Sequence, residues 1–174
     1  MKRTSRLNKE ELHTIFLSGL GSHVSWHSDK AEFPLLVDLL PRKVQIRVYL
    51  WNCTNPPGGR ALDEYKTQIT LPGQVRRTRA HLDYSKGRIP IVGALIQEDA
   101  YNIFAFWDAD MHEDFGYSAN LQVKADAVIG AMYSITSEAK RHNGEIIVCA
   151  KAENIYDALL LRFKISQEKL LRGV

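Results

Sequence analysis

The chain has 174 residues, 45% of them hydrophobic and 25% charged, which is the balance of a single soluble globular domain. That composition excludes a disordered chain and a collagen-like one, and Cys53 and Cys149 alone cannot build a disulfide framework. The net charge of +3 hides an uneven distribution: residues 40–90 carry ten Lys and Arg against three acids, a local +7 that leaves −4 elsewhere. Residues 98–114 hold six acids and neither Lys nor Arg. Such asymmetry within one small domain is the pattern of a polyanion-binding face. No apolar run approaches the roughly 18 residues of a membrane span. The basic start, Lys2-Arg3-Thr4-Ser5-Arg6, leads into Asn8-Lys9-Glu10-Glu11 and is no secretory signal, so a cytoplasmic protein without a membrane partner is expected.

In chain order, Asn8 and Glu11 form a capping-box pattern ahead of Leu12, Ile15, Phe16 and Leu20 at helical spacing, with Gly19 and Gly21 as the stop. Short strands follow at Val24–Trp26 and Phe33–Val37, then a longer one at Val44–Trp51. Asn55-Pro56-Pro57-Gly58-Gly59 is a turn, because proline removes donors and glycine allows positive φ. Glu64–Leu71 alternates cleanly, with Tyr65, Thr67, Ile69 and Leu71 on one face and Glu64, Lys66, Gln68 and Thr70 on the other. Residues 72–88 read as a long basic loop, and Ile89–Gln97 with Tyr101–Trp107 as a hairpin. Val123–His142 reads as a helix stopped by Asn143-Gly144, Glu145–Ala150 as a buried strand, and Ile155–Leu171 as an amphipathic helix. Many short strands with flanking helices predict an α+β fold, open or partly closed as a barrel, in one domain spanning residues 1–174.

Several constellations carry chemistry. Glu64-Tyr65-Lys66 has the E-x-K form of PD-(D/E)XK nucleases, in which carboxylates hold Mg²⁺ and a lysine orients water; Asp38 is the earlier acid such a site needs. The same spacing on an alternating strand also makes a plain solvated face. Asp108, Asp110, His112 and Asp114 alternate, and are read as a solvated loop rather than a metal site. No P-loop, dinucleotide fingerprint or zinc spacing is present, and no cofactor is expected unless the nuclease reading brings Mg²⁺. Arg60, Asp63, Glu64, Lys66 and Gln68 mix donors and acceptors suited to base edges, Arg to guanine, Gln to adenine and acids to the cytosine amino group. Arg76, Arg77, Arg79, Lys86 and Arg88 supply candidate phosphate contacts.

The run Val48-Tyr49-Leu50-Trp51-Asn52, a glycine turn, Arg60 and then Asp63–Thr70 resembles the recognition arm of B-three-like DNA-recognition domains of bacterial restriction endonucleases, such as the EcoRII amino-terminal effector domain. Gly93-Ala94-Leu95 and the aromatic strand ending at Trp107 continue the likeness, which covers residues 44–123. The resemblance implies a mostly antiparallel pseudobarrel of seven to eight strands whose two arms grip the major groove. It puts the first arm on Arg60–Gln68 and the second on Phe115–Asn120, where Tyr117, Ser118 and Asn120 would join the base readers. It further implies sequence-specific recognition of double-stranded DNA in a bacterial defence system. Cleavage would belong to a nuclease or motor domain or subunit, and the chain would be a piece of a longer restriction protein. Target sequence and methylation dependence stay open.

Overall fold

The computed structural model describes residues 6–54, 63–98 and 100–173. Helix α1 (Lys9–Leu20) begins where the sequence predicts: the Asn8 side chain accepts from Glu11 N at 2.8 Å, and Glu11 Oε2 accepts from Asn8 N at 2.8 Å. Its end differs, because Gly19 stays helical and Gly21 alone turns out of it at φ +54°. Gly19 instead serves a close approach, since a Cβ there would lie 2.2 Å from the Ala152 carbonyl oxygen.

A seven-stranded sheet forms the middle layer. It contains β1 (Val24–His27), β2 (Leu35–Leu39), β3 (Val44–Cys53), β6 (Ile89–Glu98), β7 (Tyr101–Trp107), β10 (Ser137–Lys140) and β11 (Ile146–Lys151). Their spatial order is β1-β2-β3-β6-β7-β11-β10, antiparallel throughout except for the parallel pair β3 and β6. Residues 47–51 are buried without a break, because both faces of the sheet are covered. One face packs Leu50, Leu95, Phe104, Phe106 and Val148 against α1 and α3 (Ile155–Leu171). The other packs Trp51, Val92, Ala105, Trp107 and Cys149 against α2 (Ala125–Tyr133) and two ribbons. Each large apolar side chain so covered contributes roughly 1.5–3 kcal/mol. Among the described residues no closed barrel forms, so the expected pseudobarrel is met only at the level of an α+β fold with mostly antiparallel strands.

The crossover from β3 to β6 delivers the ribbon strands. Strand β4 (Glu64–Ile69) pairs antiparallel with β9 (Ala119–Lys124), and β5 (Arg79–His81) with β8 (Asp114–Gly116). The basic segment 72–88 is therefore not wholly loop. The helix expected over 123–142 is also corrected: Val123 lies in β9, α2 ends at Tyr133, and β10 follows. Ser134 leaves the helix at ψ 161°, and Asn143-Gly144 turns a hairpin between β10 and β11, with Gly144 at φ +88°. An Asn-Gly pair suits both a helix stop and a hairpin turn, and here the pairing strand Ile146–Lys151 decides.

A buried polar cluster closes the end of β7. Glu145 is 1% exposed; its Oε2 accepts from Asp108 N at 3.1 Å and meets His112 Nε2 at 2.7 Å, while Arg141 lies 3.4 Å from Oε1. Asp108, 3% exposed, binds Lys169 Nζ at 2.9 Å, so this residue is part of the core rather than a solvated loop. Among the described residues no helix is long and apolar enough to cross a membrane.

Candidate nucleic-acid interface

The alternation of 64–69 splits β4 into an anchored face and a free one. Tyr65, Thr67 and Ile69 point inward beside Leu121 and Val123 of β9. Tyr65 donates its hydroxyl to Glu98 at 2.5 Å, and Thr67 donates to the Asn52 carbonyl at 2.8 Å. Backbone bonds between Thr54 and Lys66 (2.9 and 3.2 Å) fasten the ribbon to the end of β3. The outward face is a ladder of facing polar pairs: Glu64 with Lys124, Lys66 with Gln122, and Gln68 with Asn120. Asp63 precedes it, exposed, with Lys124 Nζ 3.3 Å away. Arg60, the remaining member of the expected first arm, lies outside the described residues.

The second expected arm is not a separate grip. Asn120 faces Gln68 across the same ribbon, and Tyr117 with Ser118 form the short link from β8 into β9. Tyr117 is 42% exposed and Ser118 sits at φ +54°. The structure thus gathers Glu64, Lys66, Gln68 and Asn120 on one face, with Tyr117 and Ser118 at its end.

Cations bracket this face. Beyond the Gln68–Asn120 end, residues 71–78 fold back through Gln74, whose side chain accepts from Leu71 N at 3.1 Å and donates to the Thr78 carbonyl at 3.2 Å. That turn carries Arg76 and Arg77 into solvent, Arg77 in the left-handed region at φ +66°. Beyond the Glu64–Lys124 end, a groove of about 250 Å³ runs between the ribbon and the β10–β11 turn, lined by Glu64, Gln122, Lys124, Lys140, Arg141 and His142. Sequence reasoning missed Lys124, Lys140, Arg141 and His142, because it put Val123–His142 in one helix, and it assigned no role to Gln122 just before that helix. The alternation Asn120-Leu121-Gln122-Val123-Lys124 was the available signal.

The other expected phosphate contacts are placed differently. Arg79 pairs with Asp114 at 2.6 Å on the surface. Arg88 holds Asp38 at 2.9 Å, reaches the Ile46 carbonyl at 3.2 Å and lies over Trp26 at 5.5 Å. Lys86 is exposed, just before the Ile46–Ile89 register where β6 begins. Lys86 and Arg88 therefore sit by the start of β3, and the ribbon by its end.

The same distance separates the residues of the nuclease reading. Asp38 faces Gln45 and Lys66 faces Thr54, nine residues along β3. At about 3.3 Å per residue that is roughly 30 Å, too far for Asp38, Glu64 and Lys66 to share a metal ion. Among the described residues no group of three or more His, Cys, Asp or Glu is placed to hold a metal. Cys53 and Cys149 are buried; burial pushes the Cys53 thiol well above its ordinary range and Cys149 up to about 12, so neither is a nucleophile.

Fold and site together define an α+β protein that holds a polar, solvent-facing β-ribbon between two sets of cations. The chain belongs to the Methylase-associated X1 family, whose match covers residues 44–159. The match runs from the first residue of β3 into α3, and so contains the ribbon, the Arg76-Arg77 turn and the β10–β11 turn. That family is associated with restriction-modification systems. No curated protein and no solved structure matches the chain.

Proposed function

We propose that this chain recognises double-stranded DNA as the target-reading component of a restriction-modification system, laying the β4–β9 ribbon in the major groove. The observation that supports this best is the ribbon itself, a rigidly anchored strand pair with a ladder of donors and acceptors outward, Arg76 and Arg77 exposed beyond one end and a groove that Lys140 helps to line at the other. The major groove, about 12 Å wide, admits a two-stranded ribbon. Lys66 and Glu64 suit guanine and the cytosine amino group, and Gln68 and Asn120 suit adenine. Asp63, Tyr117 and Ser118 flank these readers. Arg76 and Arg77 on one side, and Lys124, Lys140 and His142 on the other, fix the register on phosphates without specifying bases. Cleavage belongs to another subunit or domain of the system.

Fluorescence anisotropy with labelled duplexes drawn from a random pool tests this reading. Affinity falls steeply with salt, because each neutralised phosphate releases counterions, and selected duplexes bind more tightly than scrambled ones. Equal affinity for every duplex contradicts base reading, and no binding at low salt contradicts the DNA interface altogether.

A further inference from the structure

Two of the three outward rungs of the ladder carry carboxamide side chains. Gln68 faces Asn120, and Gln122 is the next outward residue of β9, across from Lys66. Among the described residues no hydrogen bond engages any of these three carboxamide side chains, while the inward residues beside them are fixed in the core. A carboxamide offers one acceptor and one donor side by side, which is the complement of adenine's N6 amino group and N7. Arginine, the usual partner of guanine, is absent from the described part of this face; of the two lysines on the paired rungs, Lys124 has Asp63 3.3 Å away, and Lys66 has no ion pair among the described residues.

From this arrangement we infer that the ribbon selects adenines and distinguishes unmethylated adenine from N6-methyladenine, binding the unmethylated form. The inference rests on the proposed DNA reading and names the base and the modification that the same face senses. Outward residues two apart on one strand are spaced about 6.8 Å. That is about two base steps of 3.4 Å, so Asn120 and Gln122 reach adenines separated by one base pair.

The discrimination follows from the hydrogens of N6. In a paired adenine one N6 hydrogen goes to thymine and the other points into the major groove. A methyl group that leaves the base pair intact replaces the groove hydrogen. The carboxamide oxygen then loses its donor and meets a methyl, which also pushes the carboxamide away from N7. A polar site deprived of its partner in this way discriminates far more strongly than an apolar pocket would, because its own group is left unpaired. A family associated with methylases is one in which such a mark would be written beside its reader.

The experiment uses the whole chain and duplexes recovered from a random pool. Each recovered site is then resynthesised with N6-methyladenine, with 7-deazaadenine, or with C5-methylcytosine as a control. Recovered sites are expected to share adenines two steps apart. N6-methylation and 7-deaza substitution each weaken binding about tenfold or more, and cytosine methylation changes it less than twofold. In Gln68→Leu and Asn120→Leu, both at exposed positions, the ratio of unmethylated to methylated affinity shrinks. Recovered sites without adenine, or equal affinity for the methylated duplex, overturn the adenine inference and leave DNA recognition standing. Failure to bind any duplex at low salt overturns both. The modified duplexes act on the unaltered protein, so the result does not depend on whether a variant folds.

Discussion

Arg76 and Arg77 lie twelve and eleven residues before Arg88, yet the two groups are used in opposite ways. The pair in the turn beyond β4 is exposed, and no ion pair among the described residues holds it. Arg88 is spent within the fold on Asp38, two carbonyls and the ring of Trp26. Arg47, 5% exposed, is likewise held, by Asp83 at 3.1 Å. The local charge of +7 therefore overstates what solvent or DNA meets. What matters is where each guanidinium finds its second partner, and the turn beside the ribbon leaves that partner open at both Arg76 and Arg77.

The sharpest way to break this contrast is at the buried end. Glu145→Leu leaves Arg141 and His112 without their carboxylate and Asp108 N without an acceptor, and costs about 3–5 kcal/mol, read as a lower urea midpoint. Arg88→Ala strands Asp38 and costs about 1.5–3 kcal/mol in the same measurement, with DNA affinity within twofold of the parent. Arg76→Ala changes stability by less than about 0.5 kcal/mol. It lowers affinity for all duplexes alike and reduces the salt slope by about 0.9. Arg77→Gly separates the two properties further. It relieves a left-handed residue and stabilises the fold by up to about 1 kcal/mol, while it lowers DNA affinity as Arg76→Ala does.

The smallest effect concerns a half-buried cation that has no carboxylate partner among the described residues. Lys9 Nζ donates to the Leu50 carbonyl and lies 4.1 Å from the Phe33 ring centre and 5.3 Å from that of Trp51. Burial lowers its pKa from 10.5 to about 8. Between pH 8 and 10.5 the unfolded chain binds more protons at this site than the folded one, so its contribution to stability rises with pH across that window. Urea midpoints at pH 8 and pH 10 are expected to diverge in this sense between wild type and Lys9→Met.

The elements legible in the sequence are those whose pattern is local. The Asn8–Glu11 box, the alternation of 64–69 and the amphipathic pattern of 155–171 each specify their own conformation. The region 123–142 was illegible for a physical reason: Ala125–Tyr133 is truly helical, and its periodicity extends by chance into flanking residues that become strand only when β4 and β11 pair with them. Lys124, Lys140, Arg141 and His142 of the candidate site lie there. For the same reason Gln68 and Asn120, read as belonging to two arms, turned out to face each other: register between distant strands is a tertiary property. The pairing of Arg88 with Asp38 depends on the β2–β3–β6 register and leaves no mark in composition.

The most direct test of the DNA interface is photo-crosslinking of the chain to a duplex carrying 5-iodouracil at successive positions, with the attachment sites mapped by mass spectrometry. Crosslinks are expected on 63–68, 117–124 and the Arg76-Arg77 turn, with weaker ones on Lys140–His142. Crosslinks confined to Trp26, Lys86 and Arg88, by the start of β3, would contradict it.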